Sequence, residues 1–220
     1  MKSSRQTTLR SHVTVTGIGV HSGVSATVTI GPADINAGFV FIRTGDDREI
    51  VASTSSVVAT DFATVLGDHE GPLVSTAEHV LAALRGMGVD NATIEVDGPE
   101  IPIMDGSAAP FVDAIDQAGL VQQNAPRRFI EILKPIQITL GDSFGELRPY
   151  AGGFRAELEI EFANTPIGRQ AYAFDLNADS FRRDICRART FGRMGDVNKL
   201  WSAGYALGAS LENSVVVDET

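Results

Sequence analysis

A glutamate and a histidine stand side by side at Glu78–His79, inside "PLVSTAEHVLAALRGMGVDN" (72–91), where an apolar run of helical period begins. An acid beside an imidazole can be the working end of a metal hydrolase: the imidazole binds a zinc ion, and the carboxylate takes a proton from the water that the metal acidifies. The same letters admit a plainer reading. Ser75-Thr76-Ala77-Glu78 fits a capping box, with Ser75 as N-cap and Glu78 reaching back from the third helical position. His79 then packs among Val80, Leu81, Ala82 and Leu84. A hydrolytic zinc centre takes three protein ligands and keeps a fourth position open. H-E-x-x-H is absent, and Ser75 stands where H-x-x-E-H needs its first histidine, so further ligands must come from distant sequence.

The other histidines are His12, His21 and His69. His69 lies in the polar loop "GDHEGP" and is expected in solvent. His21 sits in "GIGVHSG", but a strand pattern follows that turn rather than a helix, so the dinucleotide and P-loop readings fail. "RARTFG" (187–192) sets two arginines and Thr190 beside Phe191 at the end of a helical pattern. It reads either as a solvated last turn, with arginines complementing the helix dipole, or as a hydroxyl donor and an aromatic lining a cleft, with basic residues near an anionic group. "PEIPIMDGSAAPF" (99–111) reads as an ordered loop that caps the next helix.

Elements must hold these groups in place. Val13 and Val15, then Val24 to Ile30, alternate with polar residues around a turn, and "GFVFIRT" and "EIVASTSSVV" are further strand candidates. A helix is expected over Ala77–Arg85, stopped by Gly86-Met87-Gly88, followed by a strand, "NATIEVDG", and a helix over Phe111–Ala118. The polar stretch "QQNAPRR" (122–128) divides this half, 1–122, from a second, 127–220. There "FIEILKPIQIT", "FGELRPY" and "FRAELEIEF" are strands, "ADSFRRDICRA" and "VNKLWSAG" helical, and a strand–helix–strand insert falls near 193–215. "GVDNATIEVDG" and "SLENSVVVDET" echo each other, an acid-Asn pair leading into a β-branched strand. In the first half a loop and helix follow that strand; in the second the sequence stops, so the second domain is expected to be incomplete. The 220 residues and 43% apolar content suit a folded α+β protein. A net charge of −10 opposes nucleic acid and anionic membranes as partners. The single cysteine, Cys186, favours a reducing compartment, and no apolar run reaches the length of a membrane span, so a cytoplasmic protein is expected.

The strings "TGIGVHSG", "STAEHVLAAL", "GVDNATIEVDGPEIPIMDGSAAPFV", "RARTFG" and "GASLENSVVVDE", spread in order over nearly the whole chain, resemble the UDP-3-O-acyl-N-acetylglucosamine deacetylases, zinc amidases of lipid A synthesis in Gram-negative bacteria. The resemblance implies two similar domains, each a mainly antiparallel sheet with helices on one face, packed as a β-α-α-β sandwich with the site between the helix layers. It implies Zn2+ as cofactor with His79 as a ligand, Glu78 as general base, and Thr190 stabilising the oxyanion beside Phe191 and Gly192. The reaction implied is hydrolysis of the N-acetyl group of UDP-3-O-acyl-N-acetylglucosamine by an enzyme that is a monomer when complete. An insert in the second domain is implied to form an acyl-chain passage. Met194, Val197, Leu200, Trp201, Leu207 and Ser210 lie in the matching region, and plain core packing is the competing reading for the apolar ones.

Relatives carry a later H-K-x-x-D-x-x-G-D motif that supplies a second histidine and an aspartate to the zinc, and this sequence stops short of it. Ser143, and Asn164-Thr165-Pro166 after "IEF", also depart from the family pattern where nucleotide contacts are implied. The expectation is a truncated deacetylase with apolar surface left uncovered, weak zinc binding and negligible turnover. The alternatives are a non-catalytic short paralogue acting as a binding or regulatory module, and a split enzyme completed by another polypeptide.

Overall fold

The computed structural model describes residues 5–46, 48–163 and 165–218. The chain is mixed α+β. Its first region runs β1 (Arg5–Leu9), β2 (Val13–Ile18), β3 (Ser25–Gly31), β4 (Phe39–Arg43), β5 (Arg48–Val51), β6 (Val57–Ala59), β7 (Val65–Asp68), β8 (Gly71–Val74), α1 (Glu78–Gly86), β9 (Ala92–Val96), α2 (Ala109–Ala118) and β10 (Leu120–Pro126). Five strands form one sheet in the order β2-β3-β9-β4-β5, antiparallel except for the parallel pair β4–β9. Strand alternation decides which side chains face inward. Ala26, Val28 and Ile30 of β3 and Ala92, Ile94 and Val96 of β9 are buried, with the residues between them half-exposed. The helices cover that face at helical spacing: Val80, Ala83 and Leu84 from α1, and Phe111, Val112 and Ile115 from α2, join the strand residues in one core. Each fully buried Ile or Leu there contributes about 1.5–3 kcal/mol.

The second region holds β11 (Ile136–Leu140), β12 (Ser143–Leu147), β13 (Arg155–Phe162), β14 (Gly168–Asp175), α3 (Ala178–Ser180), β15 (Phe191–Arg193), α4 (Met194–Ser202) and β16 (Val215–Val217). These strands do not merge: β11–β12 and β13–β14 are separate antiparallel pairs, and β15–β16 is a parallel pair joined through α4. Large apolar side chains on both hairpins are exposed, among them Ile138, Leu140, Phe144 and Leu158. The part of this region sunk into the common core is the segment after α3, where Phe181 and Cys186 are buried. Phe181–Ile185 forms a π-type turn, with Cys186 N donating to Phe181 O at 2.8 Å. Phe181 lies against Gly86 of α1 so closely that a Cβ at Gly86 would stand 2.3 Å from its ring. Arg182 pairs with Asp116 of α2 alongside.

Several expectations change. Ser75 is not the helix N-cap. Thr76 adopts a left-handed φ of 58°, Ala77 occupies the N-cap position without a side-chain bond, and α1 starts at Glu78 itself. Ser75 is instead bridged to Glu100 by backbone bonds, Ser75 N to Pro99 O and Ile101 N to Ser75 O, both 3.0 Å. The polar stretch 122–128 is strand through Pro126, because β10 pairs with β1 (Leu9 with Leu120, Arg5 with Pro126). Residues 127–135 are not strand, and "EIVASTSSVV" is broken at Thr54–Ser56 by a 3-10 turn. β7, β8 and β14 were not anticipated. The Asn of each echoed segment does parallel work: Asn91 Oδ1 accepts Gly38 N at 2.9 Å ahead of β9, and Asn213 Oδ1 accepts Ser210 N at 2.8 Å ahead of β16.

Candidate active site

Glu78 and His79 form the first turn of α1, at the edge of the core, and both are half-buried. The Glu78 carboxylate is held by a backbone donor from outside its helix, Thr64 N to Oε2 at 3.0 Å. That anchor replaces the capping box and fixes the carboxylate beside its neighbour. Burial pushes the His79 imidazole below its ordinary pKa, against the opposing pull of Glu78 and Asp105. The ring is therefore neutral near pH 7, the form that offers a lone pair to a metal or a proton.

Asp105 was not singled out from sequence. It lies in the loop between Glu100 and α2, where Met104 takes a left-handed φ of 56°. One Asp105 oxygen accepts Ser107 N at 2.9 Å and Ser107 Oγ at 2.7 Å, and Ser107 Oγ accepts Ala109 N at 3.1 Å, so the loop does cap α2. The same loop carries the link to the second region. Thr190 N donates to Gly106 O at 2.8 Å, and Arg189 Nε donates to Asp105 O at 2.6 Å. Thr190 is thus bonded to the Met104–Ser107 loop, whose Asp105 acts electrostatically on His79, although 111 positions separate His79 from Thr190 in the sequence. Arg189 also donates to the carbonyls of Leu211 and Glu212. Its guanidinium ties backbone together, whereas Arg187 is exposed. The sequence signal for Asp105 and Glu100 was two acids flanking the apolar run Ile101–Met104.

Thr190 O accepts Val215 N at 3.0 Å, which sets β16 beside β15. Phe191 is 42% exposed and meets Phe162 edge-on, ring centroids 5.5 Å apart. It lies in an open cleft with Ile160 and Ile167 of the β13–β14 hairpin and Val215 and Val217 of β16. Gly192 follows within β15. Met194, Trp201 and Leu207 are each more than half exposed, so core packing does not account for them; Val197 and Leu200 are half-buried. Trp201 Nε1 donates to Ala206 O at 3.1 Å. Ser210 belongs to a turn that Asn213 closes, and its hydroxyl accepts Glu212 N at 3.3 Å. His69 is open to solvent, 88% exposed. His21 bonds Phe62 O through Nε2 at 3.2 Å and meets Tyr205 edge-on.

A zinc ion needs more than His79. Among the described residues no group of three His, Cys, Asp or Glu side chains stands close enough together to hold a metal. The donor set of these residues therefore does not fit a complete zinc centre. No helix among the described residues is long and apolar enough to cross a membrane.

Anchored carboxylate, neutral imidazole and a tethered threonine within an α+β fold define a candidate hydrolase site. The family model described as UDP-3-O-acyl N-acetylglycosamine deacetylase matches residues 6–220. Proteins named UDP-3-O-acyl-N-acetylglucosamine deacetylase from Brucella ovis and Brucella canis are each 46% identical to this chain over 216 residues, 97% of the chain and 75% of the relative. The protein of that name from Brucella melitensis biotype 2 is 45% identical over the same span. The chain belongs to the UDP-3-O-acyl-N-acetylglucosamine deacetylase family.

Proposed function

We propose that this chain supplies the Glu78–His79 half of a deacetylase site for hydrolysis of the N-acetyl group of UDP-3-O-acyl-N-acetylglucosamine in lipid A biosynthesis. The observation that carries the reading is the pairing of a backbone-anchored carboxylate with a neutral imidazole at the head of α1. In that reaction water adds to the amide carbon, the C–N bond breaks, and acetate and the sugar amine leave. Glu78 takes the proton from the attacking water, and the Thr190 hydroxyl donates to the oxygen on which charge develops. His79 is one ligand of the family's zinc, although among the described residues no group of three His, Cys, Asp or Glu side chains stands together to complete the site. Phe191, Gly192, Met194, Val197, Trp201, Leu207 and Ser210 line the path of the acylated sugar; the exposure of Met194, Trp201 and Leu207 supports this. The packing of Phe181 on Gly86 and of Arg182 on Asp116 supports a helix-to-helix contact between two related α+β units, 1–122 and 127–220. A cytoplasmic monomer is the accompanying proposal.

The incomplete donor set equally suits a non-catalytic module of binding or regulatory type, and one experiment separates the two. Joined to the segments of the Brucella ovis relative that lie outside the match, this chain should release acetate from the substrate. Glu78→Ala in that chimera should cost on the order of 10²–10⁴ in rate. A folded, zinc-loaded chimera without turnover would favour the module.

A further inference from the structure

Glu100 is almost wholly inaccessible, 1% exposed, yet among the described residues its carboxylate pairs with no cation. Its Oε1 accepts His21 N at 3.0 Å and Thr76 Oγ1 at 2.8 Å, and its Oε2 accepts Ser22 N at 2.8 Å. Burial would raise its pKa, but the donors from Ser22, His21 and Thr76 outweigh burial and hold it below the ordinary value. A buried carboxylate satisfied by backbone amides is costly to arrange unless its geometry is used.

The turn it grips has two sides. The amides of His21 and Ser22 point in toward Glu100, while the carbonyls of Val20 and His21 point out and receive the second region: Gly208 N to Val20 O at 3.0 Å, and Leu207 N to His21 O at 3.1 Å. Ala206 N reaches His21 Nδ1 at 3.4 Å, and Tyr205 meets the His21 ring edge-on at 5.3 Å. The approach is so close that a Cβ at Gly208 would stand 2.2 Å from Gly19 O, which reserves that position for glycine. Amides drawn inward by a negative charge polarise the same peptide groups, strengthening their carbonyls as outward acceptors. On its other side Glu100 holds Thr76, the left-handed residue two places before α1, and its flanking backbone brackets Ser75.

We propose that Glu100 is a positioning residue: its carboxylate clamps the 19–22 turn to the entry of α1, and through that turn seats the 205–208 segment that carries Leu207. The substrate-facing role of Leu207 rests on the deacetylase reading; the clamp itself does not. Trp201, the single tryptophan, is bonded to Ala206 O and reports on the segment directly.

The test is residue-resolved amide exchange with acrylamide quenching of Trp201, on the whole chain as wild type and as Glu100→Gln. The variant should speed exchange at 21, 22, 207 and 208 by about tenfold, the loss expected for one charge-assisted hydrogen bond. It should also raise Trp201 quenching while α2 and β9 keep their protection. Unchanged exchange at 207 and 208, or a loss spread evenly over α2 and β9, would overturn the clamp. Should Glu100→Gln not fold, the wild type still decides: amides 21, 22, 207 and 208 must open together in low denaturant. Independent opening of 207 and 208 would sink the proposal. None of these readouts requires turnover, so an inactive chimera would count against the deacetylase reading and leave the clamp standing.

Discussion

In the first region Val28, Ile30 and Ile94 alternate with the polar Thr27, Thr29, Thr93 and Glu95, and all three are buried in the core that α1 and α2 cover. In the second, Ile136, Ile138 and Leu140 alternate with Gln137 and Thr139 in the same way, and every residue of that strand is exposed. The letters are of one kind; what differs is the cover. A sheet face is buried only when a second layer lies on it. Two-stranded hairpins such as β11–β12 and β13–β14 gain little from their ladders alone. What the second region does bury, it buries on the first: Phe181 against Gly86, Ala108 N on Cys186 O, Thr190 N on Gly106 O.

The contrast can be broken most sharply in the core. Phe111→Ala should cost about 3–5 kcal/mol in urea unfolding. At the joint between the regions, Gly86→Ala should cost about 1–3 kcal/mol by pressing on the Phe181 ring, and should expose residues 178–190 to proteolysis. Acid tests Glu100. Its folded pKa is held below the ordinary glutamate value of about 4.3, so its contribution is full above that value and lost as the pH falls through the lower folded one. Wild type should lose more stability than Glu100→Gln between about pH 5 and pH 3 in thermal melts. In the second region Ile138→Ser with Leu140→Ser should leave the melting temperature nearly unchanged while lowering dye binding and aggregation, because both side chains already face solvent.

The same contrast explains what was legible beforehand. α1, β9 and α2 were readable because each has a one-sided apolar period and a glycine stop. β10 was not, because "LVQQNAP" shows little alternation and its partner β1 lies more than a hundred residues away. The capping box failed on Thr76, whose left-handed backbone carries Ser75 out of the helix and onto Glu100. In the site, Glu78, His79 and Thr190 were named through family strings. Asp105, which acts on the His79 charge, and Glu100, which holds Thr76 ahead of α1, act through loop geometry that spacing does not encode.

Glu78 is an anchored carboxylate, and among the described residues no three His, Cys, Asp or Glu side chains stand together to close a metal site. Metal analysis of the dialysed 220-residue chain, paired with an acetate-release assay, decides whether these residues alone hold zinc and turn over substrate. Far less than one zinc per chain and no measurable release are expected. One zinc retained per chain, with turnover abolished by Glu78→Ala, would contradict that expectation.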